Sequence, residues 1–201
     1  MCSRLRSFVG LTTCRYYRTI HPTLPLLPEN ESQLSSALET VPPDLRQAFN
    51  SALATAAKAA TGGAHPADVK NASDQFGAVR KSRASGPAAD LLRLQTLGLL
   101  AVVDDLDGPA SSKEGTWLGA AVAKANSDHL SRTSTLTDNE LAPHLRRVWL
   151  CLVVLDRWHA ASIGSATLIN DDDISIDEKD HKLLGSSFYH LLRTLCLFPP
   201  L

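Results

Sequence analysis

The residues whose types could do chemistry are the acids, histidines and cysteines, and their spacing is what decides. The stretch "DDLDGPASSKE" resembles a calcium loop if Val103 is position one. Asp105, Asp107, Gly108 and Glu114 then fall at positions three, five, six and twelve. Position one must supply a carboxylate, which Val103 lacks, and Ala110 sits where a branched apolar residue is usual. A polar turn between helices is the better reading. Asp171, Asp172 and Asp173 are consecutive, so in extended chain they point to opposite faces and do not converge on one ion. Pairing with nearby arginines suits them better. No Gly-x-Ser-x-Gly elbow is present, and "GPASSKEG" lacks the Gly-Lys of a phosphate loop. The seven histidines lie far apart, and none stands four residues from another histidine or a cysteine. Cys2, Cys14, Cys151 and Cys196 have neither zinc-finger spacing nor a disulfide framework. Cys151 lies in an apolar run and reads as a reduced core thiol, which suits a reducing compartment. The sequence therefore offers no catalytic, cofactor-binding or metal site.

What remains is a charge pair in an unusual place. In "RRVWLCLVVLDRWHAASIGSATLINDDDISI", eight apolar residues from Val148 to Leu155 are followed at once by Asp156 and Arg157. On a helix the apolar faces of this run point nearly everywhere, so the helix must be central and buried. Charges at its end are costly unless other elements supply partners. Asp156 and Arg157 stand 100° apart and are not expected to pair with each other. Arg132 is the candidate partner for Asp156. One of Asp171, Asp172 and Asp173 is the candidate for Arg157, because a turn through Gly164 can fold the acidic run back.

The elements that must position these residues are helical. With 201 residues, one domain with a substantial core is the default. Apolar residues at 44% and charged residues at 20% describe a globular chain, and 5% aromatics with abundant Ala and Leu favour helices. The net charge of −1 carries no electrostatic footprint for nucleic acid. No apolar run approaches the ~20 residues that span a bilayer, so no membrane role is expected. Residues 1–20 read as a basic, poorly ordered segment. Arg4, Arg6, Arg15 and Arg18 without an acid also overlap the composition of a mitochondrial transit peptide. The prolines of "HPTLPLLPENES" force an extended or turned path. Two helical pieces broken at Pro42 and Pro43 come next. Residues 61 to 86, punctuated by Gly, Ser, Asn and Pro, read as a mobile loop whose "RKSR" is a solvated basic tip. Further helices are expected over "PAADLLRLQTLGLLAVVDDLDG", "GTWLGAAVAKANSDHLSR" and "LAPHLRRVWLCLVVLDRWHAAS". A last one is expected over "DEKDHKLLGSSFYHLLRTLCLF", capped near Asp177 or Asp180.

Taken together, these segments resemble the fungal-specific transcription factor domain. That domain is the regulatory, or middle homology, region of fungal binuclear zinc-cluster transcription factors. The central signature is an Arg-Arg-x-Trp-Trp helix, then Leu-Asp-Arg, a Gly-Arg-Pro-like turn, and Ile before an acidic Asp-Ile. Arg146, Arg147, Trp149, Leu155, Asp156, Arg157, Gly164, Ile169, Asp173 and Ile174 match it. Leu150 replaces the second aromatic, and "IGSAT" lacks the arginine and proline. "TWLGAAVAKANSDHLSR" and "LLRLQTLGLLAVV" are similar to the two preceding family helices. "YYRTIHPTLPLLPE" is similar to the domain's opening, so four signatures stand in order across residues 16 to 176. "LDRWHAASIGSATLI" is also similar to the branch that controls sugar transport genes.

The resemblance implies an all-α, irregular helical bundle over residues 21–201, truncated relative to the full regulatory domain. Arg146, Arg147, Trp149, Asp156, Arg157, Gly164 and Asp173 would be its structural signature. It implies a non-enzymatic role in RNA polymerase II transcription, in the nucleus, with protein co-regulators and a small-molecule effector as partners. The family reads DNA through an N-terminal six-cysteine zinc cluster, which these 201 residues do not contain, so no cofactor is expected in this chain. The alternative is a small helical enzyme or ligand-binding protein of the mitochondrion.

Overall fold

A computed structural model describes residues 8–80, 86–107, 116–130 and 140–197. Nine α-helices and no strand are found among them. In chain order they are α1 (Phe8–Thr19), α2 (Glu31–Glu39), α3 (Pro43–Ala59), α4 (Pro66–Val79) and α5 (Pro87–Asp107). Then come α6 (Thr116–Ser127), α7 (Ala142–Ile163), α8 (Glu178–Leu184) and α9 (Ser186–Leu197). The all-α expectation holds. Helix α3 lies between α1, α4 and α5, while α7 meets α5, α6, α8 and α9.

Several helix starts follow from local chemistry. The Asn30 side chain accepts a bond from Gln33 N–H at 2.9 Å and opens α2. Pro43, Pro66 and Pro87 occupy first turns, where a missing amide costs nothing. Helices α5 and α7 are buried around most of their circumference: every residue from Leu91 to Val103 and from Arg146 to Arg157 is buried.

Three boundaries differ from expectation. The basic segment 1–20 contains α1, because Thr13, Tyr16 and Ile20 recur at helical spacing and bury one face. Residues 61 to 86 contain α4, whose stripe of Ala72, Phe76 and Val79 packs inward; Phe76 meets the Trp117 ring edge-on at 5.9 Å. Asp68 accepts a bond from His65 N–H at 3.2 Å to cap α4, and pairs with Lys58 of α3 at 3.0 Å. Residues 81–85 of "RKSR" and its surroundings lie outside the described residues. The last expected helix is two: α8 ends at Gly185, whose φ of 75° breaks the helical path before α9.

Between α1 and α2 runs a proline-rich strap, with Leu24, Leu26 and Leu27 buried. Proline removes amides, so the strap cannot satisfy its own carbonyls by forming a helix. Side chains of other elements do so. Tyr16 donates to Leu24 O at 3.1 Å, Tyr17 to Pro28 O at 2.6 Å and Gln95 of α5 to Leu26 O at 3.0 Å. Leu26 also lies against Gly98: a Cβ there would come within 3.0 Å of its side chain.

Candidate functional site

The charged residues of α7 gather three separate parts of the chain. Arg146, 6% exposed, donates from Nε to Asp180 Oδ1 at 3.0 Å and from Nη2 to Asp180 Oδ2 at 2.8 Å. It also bonds Ser175 O. Such a two-pronged guanidinium–carboxylate contact fixes orientation as well as charge. Asp180 is held in turn, because its carboxylate accepts from Asp177 N–H at 2.9 Å while Asp177 accepts from Asp180 N–H at 3.1 Å. The N-terminus of α8 is thereby locked to α7.

Arg147 faces the strap. Its Nη1 donates to Leu27 O at 3.3 Å, and its Nη2 to Glu29 Oε1 at 3.1 Å and to Leu183 O at 3.0 Å. One guanidinium thus joins the strap, α7 and α8. Its charge is felt by its neighbours. Burial, aided by Arg147 and opposed by Glu29, lowers His21 to about 4 and shifts His144 downward too. Burial pushes the Cys151 thiol up, which fits an unreactive core cysteine.

The end of α7 holds the loop that follows it. Asp156, 1% exposed, accepts from Leu168 N–H at 2.8 Å and Ile169 N–H at 3.0 Å. Arg157, also 1% exposed, donates to Ile169 O at 3.1 Å and to the Asp171 carboxylate. Both residues therefore bond outside their own helical turn, and Asp171 is the acid that reaches Arg157. They also pair with each other, Arg157 Nη1 to Asp156 Oδ2 at 3.1 Å, contrary to the expectation from their 100° separation. The long guanidinium bends round the helix because both groups serve the same returning strand of chain at Ile169. Arg132 lies outside the described residues.

Gly164 makes this return possible. Its φ of 67° and ψ of 35° are left-handed, and Gly164 and Ser165 both donate to Ala160 O. Asp173 is exposed in a short 3-10 turn, Asp171–Asp173, and contributes through its backbone, its N–H bonding Asn170 O at 3.1 Å. Trp149 is fully buried, with no partner for its indole N–H, so its contribution is packing. The structure thus brings Arg146, Arg147, Asp156 and Arg157 into one framework along α7. Asp180, Glu29 and the two tyrosines complete it; the sequence pointed to Asp180 only as a helix cap and to the tyrosines only as part of the opening signature, and it did not point to Glu29. Only Asp180 had a local signal, the Asp177-x-x-Asp180 capping box.

The four charged α7 side chains bond one another, carboxylates and backbone groups; at the surface, His181 Nε2 of α8 lies 3.1 Å from Ser186 Oγ of α9. Among the described residues no three His, Cys, Asp or Glu side chains could hold a metal ion. No described helix is long and apolar enough to cross a membrane. The loop 108–115 of the calcium-like stretch lies outside the described residues.

The comparisons with known proteins show the family. The profile of the "Fungal specific transcription factor domain" matches residues 15–178. The chain belongs to this family. The match begins just before Tyr16 and Tyr17 and ends at the start of α8, so it takes in the strap and all of α7. A Schizosaccharomyces pombe protein described as an uncharacterized transcriptional regulatory protein is 33% identical over 196 aligned positions. That alignment covers 89% of this chain and 22% of the yeast protein. The chain therefore spans about a fifth of the length of this relative. No solved structure matches it.

Proposed function

We propose that the chain acts as a non-enzymatic regulatory module of a nuclear fungal transcription factor, taking input from protein co-regulators. DNA recognition is assigned to a zinc cluster elsewhere in such a factor. Genes of sugar transport are the proposed targets, on the sequence likeness around Gly164. The observation that carries the reading is where the signature charges go. Arg146, Arg147, Asp156 and Arg157 are spent on internal bonds that tie the strap, α7, α8 and the 165–171 loop together. Chemistry on a substrate needs reactive groups facing a cleft, whereas these build a rigid scaffold whose outer surfaces remain for partners.

The test joins the chain to an unrelated DNA-binding domain in yeast and measures a reporter carrying that domain's sites. Reporter output should move away from that of the DNA-binding domain alone, and Asp156→Ala should cancel the change. A fusion indistinguishable from the DNA-binding domain alone overturns the reading.

A further inference from the structure

A groove of about 350 Å³ lies between α1 and α3, outside the α7 framework. Ala54 and Ala57 form its floor on α3, and Leu11, Arg15, Arg18 and Lys58 stand around it. Leu11 is 71% exposed, the most open of the large apolar residues described. Leu11, Arg15 and Arg18 follow one another at i, i+4 and i+7, so they form a single outward stripe about 10 Å long. No ion pair joins Arg15 or Arg18 to a described residue, whereas Lys58 pairs with Asp68. Helix α1 itself contains no acid.

We propose that this groove docks an acidic amphipathic helix of a protein partner. The complementarity has two parts. A small-residue floor lets a second helix approach closely, and Leu11 gives it an apolar ridge to pack on. The two unneutralised guanidiniums lie one turn apart, matching carboxylates spaced three or four residues along a helix. A phosphate backbone would satisfy the arginines but leave Leu11 and the alanine floor uncovered. The proposal rests on reading the chain as a protein-interaction module and names the partner's chemistry. A chain that regulates the reporter yet ignores the helix refutes the groove alone.

The probe is a fluorescent synthetic peptide of about five helical turns, with Glu and Asp on one face and Leu on the other. Fluorescence anisotropy with the full 201-residue chain at physiological salt gives its affinity. Saturable binding is expected, with a same-composition scrambled peptide at least about tenfold weaker and Arg15→Glu/Arg18→Glu also about tenfold weaker. Both arginines are exposed, so helical circular dichroism should be unchanged; Leu11→Ser supplies a second, uncharged weakening. Equal binding of the scrambled peptide overturns the proposal. So does an affinity unaltered by the double reversal, or binding confined to anionic phosphatidylserine vesicles or duplex DNA.

Discussion

Asp156 and Arg157 show how two residues can close a fold. Each is almost wholly buried, and together they satisfy two amides and one carbonyl of the 168–169 backbone. Removing Asp156 leaves two buried amides unbonded and takes from Arg157 the more deeply buried of its two carboxylate partners. Asp156→Ala and Arg157→Ala should each cost about 3–5 kcal/mol in denaturant melts. A loss below about 0.5 kcal/mol for both would mark them as ordinary surface residues. His21 makes a pH-dependent contribution of a different kind. It packs against the Tyr16 and Tyr17 rings at 5.7 and 4.8 Å, close to the Arg147 charge. Its folded pKa is about 4 against 6.5 unfolded. Above pH 6.5 both states are neutral there and stability is unaffected. Between 6.5 and about 4 the unfolded chain takes up the proton first, so stability falls as pH falls, and below about 4 the loss is complete. The full difference is at most about 3.4 kcal/mol, and smaller because solvent screens this part-exposed ring. Melts at pH 7 and pH 5 should show a smaller drop for His21→Phe than for the natural chain; equal drops would refute the assignment.

Helix caps govern the smaller elements. Asp68 both caps α4 and bridges to Lys58, but its side chain is a third exposed, so the bridge adds little to the cap. Asp68→Ala should lower stability by about 1 kcal/mol, with the loss of hydrogen-exchange protection concentrated in residues 66–79. Uniform loss across the chain would mean that Asp68 holds more than one helix. This helix also shows why some elements were hard to read. Its inward stripe is Ala72, Phe76 and Val79, narrow and led by an alanine, and Gly77 on the exposed side weakens the helical signal. The polar majority hid it. Helix α1 was hidden likewise by its arginines, which all face outward while Tyr16 faces in. By contrast α5 and α7 were plain, because continuous apolar runs of their length have no exposed solution in a globular chain. Of the α7 framework, the sequence disclosed the charges and the Gly164 turn. Arg147 meets Glu29 across 118 positions, a pairing that no local pattern encodes.

At the scale of the whole molecule, burial changes what the net charge means. The formal value is −1. Arg93, Arg146, Arg147 and Arg157 are buried among the described residues, against Asp156 and Asp180. Among the described residues more positive than negative charge is therefore hidden, and their surface is more acidic than their summed charge implies. Affinity for DNA comes largely from cations that neutralise phosphates and release counterions. The arginines of the signature cannot serve, because they are bonded to Asp180, Glu29, Asp171 and backbone carbonyls inside the fold. Freeing one would strand its partner at a cost of about 3–5 kcal/mol. Of the exposed cations described, Arg15 and Arg18 share one groove while Lys70, Arg80, Lys179, Lys182 and Arg193 belong to other elements; the slope scales with the number of phosphates contacted, so the pair at the groove supplies only a shallow salt dependence. The purified chain should therefore give no specific complex in a mobility-shift assay at physiological salt. Any weak complex at low salt should vanish on adding salt and should not distinguish one duplex sequence from another. A tight, sequence-specific complex with a steep salt dependence would mean that the exposed cations gather into a phosphate-binding surface, and would refute this electrostatic account.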